Sequence, residues 1–264
     1  ERLRRGRAGV TESEIVDVGG RGETDKKRDH YLSTLHSQRT DGLLVLSLPP
    51  NEEVGATLAR GPVPVVFIDV HTASVVGLPR VVGDDVAGGR LAARHLLELG
   101  HRSIGFIGDS THDPFGFTSS HDRERGFASE LAAAGVAIPP EWIGHGAHGR
   151  YEARDRARAM LAADHRPSAI FAASDTQALG VIAAARELGI RIPGDLSVVG
   201  YDDIEAADYV GLTTVRQQLF EAGRRGAEIL LSEIRHRAAE PPIAHLSPDL
   251  VVRATTAPSK EGRG

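Results

Sequence analysis

Leu196-Ser197-Val198-Val199-Gly200-Tyr201-Asp202-Asp203 is an apolar run that ends in two adjacent carboxylates. A run without polar alternation suits a parallel strand covered on both faces, and the acids then stand at its carboxyl end. Working outward, similar runs occupy residues 42–48, 63–69, 103–108 and 169–174. Between them lie stretches with helical spacing, at 26–38, 86–99, 123–134, 152–163, 176–188 and 220–235. Leu99-Gly100 and Leu188-Gly189 put glycine where a helix end turns left-handed, and Asp175 stands where it would cap the helix that follows. Alternation of this kind predicts an α/β fold, with parallel sheets wound by right-handed crossovers. The number of strands fits two sheets better than one.

The remaining composition narrows the classes. The chain has 264 residues, 41% of them hydrophobic and 25% charged, enough for a large domain or two lobes. With no cysteine, disulfides, thiolate metal sites and a cysteine nucleophile are excluded. A formal charge of −5 argues against gripping a polyanion by bulk charge, so Arg2, Arg4, Arg5 and Arg7 read as a solvated helix end. No apolar run reaches the length of a membrane span, and no signal peptide is visible after the basic start. Glu1 stands where a start methionine would, as if the chain began inside an element.

Ligands in open α/β sheets bind beyond the carboxyl ends of the strands. Asp69, Asp109, Ser174-Asp175 and Asp202-Asp203 all occupy such ends, so four strands deliver a carboxylate to one edge. Carboxylates accept from paired hydroxyls, and an arginine fork donates to ring and hydroxyl oxygens. The candidate donor is Arg123, at the start of the helix after the loop 110–122. Singly, each acid is as well read as a cap or turn former. Together they describe a site for a polyhydroxylated ligand.

Four features point elsewhere and fail on context. Gly144-His145-Gly146-Ala147-His148-Gly149 spells GxGxxG, yet after Pro139-Pro140 only Trp142-Ile143 offers an apolar run before it, too little for the strand a dinucleotide fingerprint needs. His145 and His148 have no third ligand at metal spacing and read as surface histidines. Ser110 has no identifiable base, and adjacent Asp202 and Asp203 should point different ways rather than form an acid/base pair. Catalytic residues, metal and cofactor are therefore not expected.

These same residues carry a resemblance. Leu97–Gly108 (LELGHRSIGFIG), Ser174–Gly180 (SDTQALG), Leu196–Glu205 (LSVVGYDDIE) with Leu212–Gln217 (LTTVRQ), and Leu250–Thr256 (LVVRATT) resemble, in order, blocks of the LacI-type transcriptional regulators. The likeness covers roughly residues 26–258. It implies two Rossmann-like lobes joined by three crossings, of the type I periplasmic-binding-protein kind. On that basis residues 1–83 and 218–245 form the N-terminal lobe, without its first strand. Residues 84–217 and 246–258 form the C-terminal lobe, and 259–264 are a tail.

Position by position, the resemblance implies effector contacts from Asp69, Arg123, Ser174, Asp175, Asp202 and Gln217. His148 falls near a position that often holds an aromatic stacking residue. The implied protein is a cytoplasmic homodimer that binds a small effector, a sugar, with no membrane partner. It meets operator DNA only through a helix-turn-helix, and no such segment is recognisable in this chain. The family's first strand and most of its first helix are likewise not found; residues 1–9 read as the tail of that helix and 13–18 as the next strand. A periplasmic sugar-binding protein of a transport system has the same architecture and is the alternative reading. A glycoside hydrolase comes third. Pentoses, hexoses, disaccharides, nucleosides and purines all suit such a cleft.

Overall fold

Val65–Ile68 is buried at all four positions, as are Ala169–Ala172 and the first five residues of Ser197–Asp202, so each of these strands is covered on both faces. They belong to two separate sheets in the computed structural model, which describes residues 40–110 and 117–260. The expected helix at 26–38, the readings of residues 1–9 and 13–18, and residues 261–264 of the tail lie outside the described residues.

The smaller sheet contains β1 (Leu43–Leu46), β2 (Val65–Ile68), β3 (Arg80–Gly83) and β9 (Ile243–Leu246), in that order and all parallel. Helix α1 (Glu52–Arg60) joins its first two strands, capped by Asn51 Oδ1 accepting from Val54 N–H at 2.8 Å. The larger sheet runs β10 (Asp249–Val251), β8 (Thr213–Arg216), β7 (Ser197–Asp202), β6 (Ala169–Ala172), β4 (Ile104–Asp109), β5 (Ile143–Gly146). Its pairs are parallel except β10 against β8. Helices α2 (Asp85–Glu98), α3 (Ser119–Ala133), α4 (Arg150–Leu161), α5 (Asp175–Glu187) and α6 (Glu205–Val210) belong to this larger unit. Helix α7 (Leu219–Arg235) packs instead on β2 and β3.

The chain thus changes sheet three times, between β3 and α2, between β8 and α7, and between β9 and β10. The fold is α/β, two Rossmann-like lobes joined by three crossings. Four aromatic side chains fill the middle of the larger lobe. Phe106, Phe127, Phe171 and Tyr201 are fully buried, with Phe127 and Phe171 centroids 4.8 Å apart.

One helix crossing decides what the site can reach. A Cβ on Gly89 of α2 would lie 2.0 Å from Arg123 O, and one on Gly126 of α3 would lie 2.0 Å from Val86 O. Two glycines therefore let α2 and α3 touch backbone to backbone. That contact sets Asp85, the first residue of α2, beside Arg123.

Several boundaries depart from the sequence reading. Helix α3 starts at Ser119, four residues before the expected Arg123, so Arg123 lies inside the helix rather than at its mouth. Asp175 is not the cap of α5. Ser174 is, its Oγ accepting from Gln177 N–H at 3.2 Å. In the GxGxxG segment, Gly144 and Gly146 sit within edge strand β5, not in a strand-to-helix turn. Strands β3, β5, β8 and β9 lie outside the runs read as strands, because each has only four residues with a polar or small residue among them.

Candidate functional site

Three of the strand-end acids have positive φ: 57° at Asp69, 113° at Asp202 and 60° at Asp203. Ser47, just after β1, has φ of 47°. Non-glycine residues seldom adopt positive φ, and such strain collects where side chains must be aimed. Here it turns carboxylates out of both sheets toward the line where the lobes meet.

Arg123 is the hub. Its Nε donates to Asp85 Oδ1 at 2.8 Å, and its Nη1 donates to Ala173 O at 2.7 Å and Asp202 Oδ1 at 3.3 Å. The guanidinium lies 3.7 Å from the centroid of the Tyr201 ring. Gln217 Nε2 adds a bond to Asp202 Oδ1 at 2.6 Å. Burial works against the Arg123 charge, but Asp85 and Asp202 outweigh it and hold its pKa above the ordinary value. The same burial raises both acids, with Arg123 pulling the other way.

Asp69 faces this hub from the smaller sheet. Ser47 Oγ donates weakly to its Oδ2 at 3.4 Å, and His71 Nε2 lies 3.6 Å from Oδ1. Burial raises the Asp69 carboxyl, but His71, Arg123 and Ser47 together bring it below the usual range. His71 is raised, chiefly by Asp69. A crevice of about 30 Å³ runs between the lobes here, lined among others by Asp69, Tyr201 and Gln217. Pockets that enclose a small organic ligand are about 300–1,000 Å³, so admitting one requires the lobes to separate.

A second network lies at the ends of β4 and β6. His148 Nδ1 is 3.0 Å from Asp109 Oδ1, which also accepts from Gln177 Nε2 at 2.8 Å; Ser174 Oγ donates to Gln177 Oε1 at 3.2 Å. Asp175 is fully buried, accepting from Thr214 Oγ1 at 2.6 Å and Ile204 N–H at 2.9 Å. Burial pushes its pKa up to about 7 against those two donors. Asp203 turns away to Arg216 (2.7 Å) and Arg253 (2.7 Å), so the two adjacent acids do point apart.

Of the residues singled out in the sequence, the fold brings Asp69 and Gln217 to one crevice and ties Asp202 and Arg123 to Gln217 beside it. Ser174, Asp175 and His148 stand beside it with internal partners. His145, read as a surface histidine, is half-buried and 2.8 Å from Glu124 Oε2. Asp85, His71 and Gln177 were not singled out. Asp84-Asp85 has the form of an ordinary helix start, and Asp84 does cap α2, accepting from Ala87 N–H at 2.8 Å. Only the α2–α3 contact gives Asp85 its second role.

Residues 93–256 match the family described as periplasmic binding protein-like domain. The HTH-type transcriptional repressor PurR of Yersinia pestis is 35% identical over 238 residues, covering 88% of this chain and 67% of the relative. Among solved structures, the transcriptional regulator CelR in complex with cellobiose is 29% identical, with a TM-score of 0.77 over 87% of this chain and 70% of that one. A LacI family transcriptional regulator from Enterococcus faecium with bound ribose is 28% identical, with a TM-score of 0.75 over 88% and 85% of the two chains.

Proposed function

From the premise that this chain belongs to the LacI-type transcriptional regulators, as their effector-binding domain, we propose that it closes around a sugar between its two lobes. The observation that carries this reading is the Arg123 hub. One arginine is held by Asp85 and Asp202, with Asp69 opposite it on the other lobe. Carboxylates set against a guanidinium can hold hydroxyl groups from both sides. The N-terminal lobe is taken as residues 1–83 and 218–245, the C-terminal lobe as 84–217 and 246–258. Asp69, Arg123, Asp202 and Gln217 contact the effector directly. Ser174, Asp175 and His148 back the far end of the cleft, Ser174 and Asp175 from buried positions with partners of their own.

An effector that prefers one lobe separation shifts the equilibrium between arrangements, and operator affinity follows if DNA prefers the other. The intact protein then acts in the cytoplasm as a homodimer, with DNA contact through a helix-turn-helix and no catalytic step. Kinship with named repressors supports this over a transport-associated sugar-binding protein. No helix among the described residues is long and apolar enough to cross a membrane.

Isothermal titration of metal-free protein against ribose, cellobiose and a panel of further pentoses, hexoses and disaccharides tests the reading. Binding of one sugar per chain, lost in Asp202→Ala and Arg123→Lys, is the expected result. Absence of binding to every sugar, or binding indifferent to both substitutions, overturns it.

A further inference from the structure

Two buried oxygens at the lobe junction have no hydrogen bond among the described residues, and they face the same atom. Asp69 Oδ1 and Asp85 Oδ2 are both closed off from solvent without a partner among those residues, and the Asp85 side chain is only 4% exposed. His71 Nε2 lies 3.6 Å from the first and 3.9 Å from the second. The three atoms fall within 4.8 Å of one another. Both separations exceed hydrogen-bond length, so His71 does not satisfy either oxygen. A buried, unsatisfied carboxylate oxygen is costly, and something that binds oxygen should sit among them.

We propose that Asp69, His71 and Asp85 form a site for a divalent first-row transition ion, of the Zn²⁺ or Mn²⁺ kind, which ties the two lobes together. The donor set is one imidazole nitrogen and two carboxylate oxygens, a mixture that suits these ions better than magnesium or calcium. Ligand atoms around a four-coordinate ion stand roughly 3.3 Å apart; the two His71 separations of 3.6 and 3.9 Å are near this, and the two carboxylate oxygens, within 4.8 Å of each other, draw together as the lobes close on the ion. Charge agrees. Three carboxylates, Asp69, Asp85 and Asp202, stand against the one guanidinium of Arg123, and an ion would replace the proton that Asp69 and Asp85 favour on His71. The guanidinium engages the opposite oxygen of Asp85, Oδ1, and leaves Oδ2 to the site. Asp69 and His71 leave the smaller sheet at the end of β2, whereas Asp85 opens α2 of the larger lobe. An ion held by all three opposes lobe separation at the cleft proposed for the effector, an addition to that reading which can stand or fall without it.

Titration of metal-free protein with Mn²⁺, followed by electron paramagnetic resonance without any sugar, tests the site. One ion per chain is the expected result, with affinity at least tenfold weaker in His71→Ala and in Asp85→Asn and unchanged in His145→Ala. His71 lies 3.6 and 3.9 Å from the two carboxylates and is partly exposed, so its alanine variant should fold, and circular dichroism verifies this. No binding up to roughly millimolar Mn²⁺ or Zn²⁺, or equal affinity in wild type and His71→Ala, overturns the proposal.

Discussion

Arg123 Nε lies 2.8 Å from Asp85 Oδ1, and both side chains are almost wholly withdrawn from solvent. This pair joins α3 to the first residue of α2 and is the anchor of the cleft. A buried ion pair adds little net stability over an apolar pair, but breaking one partner leaves a charge stranded.

Arg123→Ala strands Asp85 and Asp202 together. It should cost about 3–5 kcal/mol in urea denaturation. Arg123→Lys should lose less stability, because an ammonium can still meet one acid but not fork across both. A loss below about 1 kcal/mol for the alanine variant would show that the acids protonate instead.

The α2–α3 contact offers a test without any charge. Gly126→Ala places a methyl group 2.0 Å from Val86 O, which is backbone and cannot swing aside. The helices must separate, at a cost of about 1–3 kcal/mol or more, and Arg123 moves off Asp85. A denaturation midpoint matching the wild type would show that the crossing is loose.

Asp175 gives a pH dependence of defined sign. Burial raises its folded pKa to about 7 from an ordinary 3.8. Between those values the native state binds more protons than the unfolded chain, so stability falls as pH rises through the window and levels above it. The contribution is at most on the order of 4 kcal/mol. His71, Asp85 and Asp202 slope the same way, so the measurement is a difference. Asp175→Asn should flatten the fall in thermal midpoint between about pH 4 and pH 7, and a profile parallel to wild type would count against it.

Gln177 and His148 both bond Asp109, from opposite environments. Gln177 is fully buried and the His148 side chain is 52% exposed. Gln177→Ala should cost about 1–3 kcal/mol, since it leaves buried groups unsatisfied. His148→Ala should change stability by less than about 1 kcal/mol, because water replaces the lost partner. Equal losses in chemical denaturation would contradict this ordering.

Much of this molecule was legible along the chain. Strands such as 196–202 announce themselves because a strand buried on both faces tolerates only apolar residues, and that constraint is local. The carboxylates at strand ends were visible for the same reason, as was the divergence of Asp202 from Asp203. The likeness of whole blocks to LacI-type regulators settled the family and the two-lobed fold. Short strands such as β3 and β9 escaped because four residues with one charge carry no period.

What only the tertiary structure decided was who meets whom. Asp85 reads as the second residue of a helix start, and His71 as a residue of a loop. Neither has a periodic or motif signal. They join Asp69 and Arg123 because Gly89 and Gly126 allow two helix backbones to touch, and because the chain crosses from one sheet to the other between Gly83 and Asp85. The types of residue at the cleft follow from strand chemistry written in the sequence. Their pairing depends on contacts between segments tens of residues apart, and that information exists only in the packed fold.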